Sequence, residues 1–158
     1  NLVTLSRTIP SSVTPGSTLT ITLSPAQELN SVPGWVASES LPYGFDLVST
    51  NAFYEEQTGS NLYSFIQTNS TPISYVLRAP LTEGPYSING IFIDGNRNTG
   101  TICGDSMINV GTTYQKYRNA TTGKIEKDDA QNALTDYLNG RLTNAGAGSV
   151  LQNYFLGQ

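Results

Sequence analysis

The feature that most constrains this chain is a change of hydrophobic period at Gly111. Upstream of it, apolar residues recur at every second position. Thr18-Leu19-Thr20-Ile21-Thr22-Leu23 alternates polar and apolar side chains, the pattern of a strand with one face buried. Val3–Arg7, Trp35–Ser38, Phe45–Ser49, Tyr63–Gln67, Ile73–Arg78, Tyr86–Ile93, Thr101–Cys103 and Met107–Val110 are further strand candidates. Turn dipeptides punctuate them at Pro15-Gly16, Pro33-Gly34, Gly84-Pro85 and Asp94-Gly95. Short strands broken this often predict a mainly β chain, a β-sandwich over residues 1–111. Trp35, the single tryptophan, is expected to anchor its core.

Downstream of Gly111 the spacing becomes helical. Ala130, Ala133, Leu134, Tyr137 and Leu138 fall on one face of a first helix. Gly140 is placed to end it, and Thr143 to cap a second helix. That second helix would present Ala147, Val150, Leu151, Tyr154 and Phe155. Helices this short do not stand alone in water. Residues 112–158 therefore form a two-helix appendage whose apolar faces pack on each other, on the sandwich or on a partner.

Composition narrows the function. Charged residues are 13% of the chain, about half the usual share. Ser, Thr and Asn number 16, 19 and 14, a surface suited to a secreted or cell-surface protein and to close lateral packing. A net charge of −4 lacks the basic stripe that nucleic acid requires. Residues 1–111 hold three basic and eight acidic side chains, for −5, and residues 112–158 five and four, for +1. No stretch is long and apolar enough to span a bilayer. The chain opens at Asn1 without an initiator Met or signal peptide, as expected of a mature form or of a piece cut from a longer chain. Cys103 is the only cysteine; it either pairs with another chain or, as cysteines more commonly do, is buried as a small hydrophobe.

Catalytic resources are sparse. There is no His, the commonest general base, and so no imidazole to activate Cys103. The carboxylates of Glu55-Glu56 and Asp128-Asp129 are adjacent in sequence and diverge on a strand or helix. No enzymatic activity, cofactor or small-molecule substrate is expected.

The segment Tyr117-Arg118-Asn119-Ala120-Thr121-Thr122-Gly123-Lys124-Ile125-Glu126-Lys127-Asp128-Asp129-Ala130 has the skeleton of an EF-hand-type loop. Gly123 stands at the turn, Ile125 at the apolar anchor and Asp129 at the closing carboxylate. With Asp136-Tyr137, Gly140, Thr143 and Tyr154-Phe155, residues 117–155 resemble the dockerin-related C-terminal modules of archaeal and some bacterial surface proteins. The first, third and fifth loop positions, oxygen-rich in that family, are Arg118, Ala120 and Thr122 here. A hard cation needs six to eight oxygens, so no metal site is expected. Either Arg118 takes the ion's place by pairing with Asp129 or Glu126, or it points to solvent.

Thr8-Ile9-Pro10, Val13-Thr14-Pro15-Gly16-Ser17, Leu41-Pro42-Tyr43-Gly44-Phe45 and the closing strands Tyr86 to Val110 resemble Ig-like stalk domains of surface proteins. The two resemblances together imply an Ig-like β-sandwich followed by a degenerate dockerin-like module. Asp94, Asn96 and Asn98 alternate as at the start of a calcium loop, or as a polar hairpin turn. Asn69 and Asn119 begin N-glycosylation sequons.

The expected function is that of an extracellular or cell-surface structural protein that self-associates into a filament or surface layer. Strand addition by the N-terminal segment, through Leu2, Val3 and Leu5, or at a sheet edge, and helix packing through Tyr137, Leu138, Val150, Leu151, Tyr154 and Phe155 would join its copies. The alternative is a docking module that binds a cohesin-like scaffold. A third possibility is that the helices merely cover this chain's own sandwich.

Overall fold

The structure is a computed structural model that describes residues 4–26, 34–111 and 113–158. Twelve strands precede the helices among these residues: β1 Leu5–Thr8, β2 Thr18–Pro25, β3 Trp35–Ser40, β4 Asp46–Thr50, β5 Tyr54–Gln57, β6 Leu62–Gln67, β7 Ile73–Arg78, β8 Gly84–Ser87, β9 Asn89–Asp94, β10 Thr99–Thr101, β11 Cys103–Gly104 and β12 Met107–Val110. They form two five-stranded sheets, ordered β11-β1-β2-β7-β4 and β10-β9-β3-β6-β5, and a two-stranded sheet of β8 and β12. All pairings of these strands are antiparallel except β1 with β11.

The two large sheets face each other across one core. Alternation in β2 and β7 sets Leu19, Ile21 and Leu23 opposite Leu77, Tyr75 and Ile73, and all six are buried. The second sheet answers with Trp35, Ala37, Phe65 and Phe92. Phe65 stacks on Tyr75 with ring centroids 4.8 Å apart, joining the layers. Each such side chain contributes about 1.5–3 kcal/mol by leaving water. Trp35 is the core anchor expected, and its indole N–H donates to the Asn69 carbonyl at 2.8 Å.

Two differences from the expected strands follow from the fold. The run Tyr86–Ile93 is not one strand. It pairs first with β12 and then, after Ile88, with β3. Strand β5 was not expected at all, because its four residues are exposed and lack alternation.

Beyond β12 the chain is helical. A 3-10 turn, Thr113–Tyr117, leads through the loop to α1 Lys127–Leu138 and α2 Asn144–Phe155. The Thr143 hydroxyl accepts the Gly146 N–H at 3.0 Å and caps α2. Gly140, at φ 71°, follows α1. Tyr114, Ile125, Ala130, Ala133 and Val150 form a second small core, and α2 also packs on β8 of the sandwich.

Candidate functional site

The loop before α1 is held by its own side chains and backbone. The Asn119 side-chain oxygen accepts the N–H groups of Thr121 and Thr122 at 2.8 and 3.1 Å. The Asn119 N–H donates to the Lys124 carbonyl, and the Gly123 N–H to that of Asn119. Asp129 accepts the Glu126 N–H at 2.8 Å, holding the first turn of α1 as the far half of a capping box. Ile125 is buried as the apolar anchor. The residues present do not fit calcium: Arg118 and Ala120 offer no side-chain acceptor, and Asn119 and Asp129 are spent on the backbone.

Arg118 does not pair with Asp129 or Glu126 either. Its guanidinium carbon lies 5.4 Å from the centre of the Tyr114 ring, a cation–π contact. The reason is local. The 3-10 turn brings Tyr114 beneath Arg118, while Asp129 is engaged at the start of α1. The side chain that ties the turn to α1 is Tyr117, whose hydroxyl donates to Asp136 at 2.7 Å. Burial first, and then the bond to Asp136 and its charge, push the Tyr117 phenol up to about 12.

The residues expected at an interface divide sharply. Leu2 and Val3 lie outside the described residues. Leu5 and Val150 are buried within the chain and present nothing to a partner. Leu5 sits in β1, between β11 and β2 of its own sheet, and Val150 sits in the small core of the tail. Strand β1 is therefore not a free segment. Leu151 and Tyr154 are half-buried, packed against the same small core. Only Tyr137, Leu138 and Phe155 are exposed, together with Leu134. In α1 the buried face is Ala130 and Ala133, which leaves the larger apolar residues outside.

Asp94, Asn96 and Asn98 form a hairpin turn. One Asp94 oxygen accepts the N–H groups of Asn96 and Asn98, and the other accepts the Asn98 amide at 2.9 Å. Burial raises the Asp94 carboxyl, but these donors outweigh it and hold it below the usual carboxylate range. Both oxygens are thereby committed to the turn. Asn69 is exposed at a turn and its oxygen accepts the Thr71 N–H; Asn119 is half-buried and bound as described above. Cys103 is exposed rather than buried; the inward position is taken by Ile102, just before β11.

Two features escaped the sequence. The first is an ion pair inside the sandwich. Arg7 of β1 reaches across to Glu39 of β3, with Nη2–Oε1 at 2.6 Å and Nε–Oε2 at 3.0 Å. Tyr75 of β7 donates its hydroxyl to Glu39 at 2.7 Å, and the Asp105 carbonyl takes a third Arg7 hydrogen bond at 2.9 Å. Burial, followed by the Glu39 charge and hydrogen bond, raises the Tyr75 phenol well above its ordinary value. Gly90 makes room: a Cβ there would stand 2.7 Å from Ile102 and 2.9 Å from Arg7, and would run into Glu39. The second is the outer face of the second sheet. Ile93 is opposite Val36, Val36 opposite Ile66, and Ile66 opposite Tyr54. Ile93 and Tyr54 are exposed, Val36 and Ile66 half-buried, so an uncharged apolar row crosses four strands on the solvent side.

No family model matches the chain, and no curated protein matches it. Two solved structures are similar in part. The chitin-binding domain of Chi18aC from Streptomyces coelicolor is 9% identical, with 54% of this chain and 90% of that one covered at a TM-score of 0.36. The chitin-binding domain of a hyperthermophilic chitinase from Pyrococcus furiosus is 17% identical, with 63% and 97% covered at a TM-score of 0.38. Likeness at this level supports no conclusion about this chain's ligand. Among the described residues no group of three His, Cys, Asp or Glu side chains is placed to hold a metal, and no helix is long and apolar enough to cross a membrane.

Proposed function

We propose that this chain is a non-enzymatic, extracellular cell-surface structural protein that assembles with copies of itself into a filament or surface layer. In this reading it is an Ig-like stalk domain with a metal-free, dockerin-like tail. The observation that carries it is the apolar row Ile93–Val36–Ile66–Tyr54 on the outer face of the second sheet. An antiparallel sheet with one wet face normally alternates hydrophobic-in and polar-out. A contiguous apolar surface rimmed by Ser and Thr marks a contact. Strand β5 lies at the edge of the same sheet and leaves a line of main-chain groups for strand addition. The absence of His and the commitment of Glu39 and Asp94 to internal hydrogen bonds favour a structural role over catalysis.

A dockerin-like docking role is favoured by a different observation, the exposure of Leu134, Tyr137 and Leu138 on α1. Sedimentation and negative-stain microscopy over a concentration series, with and without calcium, separate the two. Ordered polymers that form without calcium support self-assembly. A monomer at every concentration overturns it and makes the α1 face the surface to test against a cohesin-like partner.

A further inference from the structure

The sandwich and the tail enclose an open groove of about 550 Å³ between them. Ser11, Met107 and Asn109 line the sandwich side, and Tyr114, Arg118 and Lys124 the tail side. No Asp or Glu side chain borders it. Arg118 is steadied over the Tyr114 ring, and Lys124 is exposed. Among the described residues the only ion pair is Arg7–Glu39, so neither cation is neutralised by a carboxylate of its own chain. Two of the chain's eight basic residues thus meet in one concave surface of a protein whose net charge is −4.

The complementary feature lies on another surface. Strand β5 is a sheet edge whose four residues are all exposed. Its Glu55, opposite Phe65, and Glu56, opposite Ser64, flank that edge from its two sides, and neither has an ion-pair partner among the described residues. No residue of β5 lines the groove.

From this complementarity we infer that the Glu55–Glu56 edge of one copy docks in the Arg118–Lys124 groove of the next. The inference rests on the self-assembly reading and specifies one of its contacts. Because the two surfaces differ, the contact is head-to-tail, and such a contact propagates into an open polymer unless its rotation closes a ring. The outer face of the second sheet then supplies the lateral contact between rows. An electrostatic contact at a surface is screened over about 8–10 Å in physiological salt, so polymers loosen as salt rises.

The test uses the full chain in four forms: wild type, Glu55→Lys with Glu56→Lys, Arg118→Glu with Lys124→Glu, and all four changes together. All four positions are exposed, and unchanged circular dichroism checks that each variant folds. Glu55→Gln with Glu56→Gln stands in if the reversal disturbs β5. Each charge reversal is expected to raise the concentration needed for assembly by at least ~10-fold, since like charges set face to face cost several kcal/mol. An equimolar mixture of the two reversed forms should co-assemble into alternating polymers, because the reversed edge of one complements the reversed groove of the other and their intact surfaces complement each other. The fourfold swap should polymerise again. Wild-type polymers with unaffected variants, or a mixture that does not co-assemble, overturn this contact and leave self-assembly standing. A wild type that stays monomeric overturns the self-assembly reading, and this contact falls with it.

Discussion

At the scale of single residues the most consequential group is the ion pair between Arg7 and Glu39, with side chains 1% and 0% exposed. A buried pair is weak evidence of stability in itself, but breaking one leaves a charge without water or partner. Arg7→Met is therefore expected to destabilise the sandwich by about 3–5 kcal/mol, measured by urea unfolding. Adding Glu39→Met and Tyr75→Phe removes the stranded groups and should restore much of the loss. A single Arg7→Met variant as stable as wild type would show that Glu39 is hydrated. Tyr117 gives a pH signature. Its phenol is pushed from an ordinary 10.0 to about 12 in the folded chain, so folding favours the protonated form. This contribution is fully present below pH 10 and lost as pH rises through about 12, where the unfolded chain releases its proton first. The stability difference between wild type and Tyr117→Phe should be constant below about pH 10 and shrink as the pH rises from there towards 12. Tyr75, also raised, is present in both proteins and cancels in the comparison.

At the scale of elements, the sequence was legible where one face is wet and the other dry. Alternation in β2 and β7, the cap at Thr143 and the glycine after α1 all express local chemistry that tertiary contacts reinforce. The split at Ile88 was not legible, because Ile88, Gly90, Phe92 and Asp94 continue one inward phase while the strand changes sheets. Strand β5 was hidden because Glu55-Glu56 at a sheet edge carries no hydrophobic period. In α1, periodicity grouped Leu134 and Leu138 with Ala133. The structure buries the alanines instead, since small residues let α1 and α2 approach closely. The loop was read only by comparison: Arg118, Ala120 and Thr122 stand where a calcium loop carries ligands, but nothing in the sequence pointed to the Tyr114 contact that Arg118 makes. Millimolar calcium or EDTA should leave the melting temperature of the tail unchanged, whereas a ligand of the folded state would raise it. The seam between tail and sandwich is tight at Gly84, which has φ 153°. A Cβ there would stand 2.8 Å from the Gln152 side chain. Gly84→Val should cost about 1–3 kcal/mol, from a φ that a β-branched residue rarely adopts rather than from the movable end of Gln152, and make α2 sensitive to limited proteolysis under conditions where the wild-type helix resists.

At the scale of the whole molecule, the question is why a stable sandwich keeps an apolar row in water. Core formation does not require it: Trp35, Ala37, Phe65 and Phe92 already fill the inward positions of the same strands. Val36, Ile66 and Ile93 are β-branched and suit a pleated strand, so propensity accounts for part of the choice. Propensity alone would be met equally by Thr, which the chain uses freely on the outer positions Thr18, Thr20 and Thr22 of β2. The contrast between the two sheets makes the row a property of one face rather than of strands in general. Ile66→Lys places a charge in the middle of that face while leaving the core untouched. If the row serves only strand propensity, the variant should lose a few tenths of a kcal/mol in urea unfolding, the range usual for surface changes, and assemble like wild type. If the row is the lateral contact, the same small change in stability should accompany loss of lateral order. Single head-to-tail strands would then persist in negative stain where wild type forms sheets or bundles. Ile66→Thr, which keeps the branch and removes the apolar surface, should weaken lateral order less than Lys does. Urea unfolding and microscopy on the same samples therefore separate a surface kept for strand formation from one kept for a neighbour.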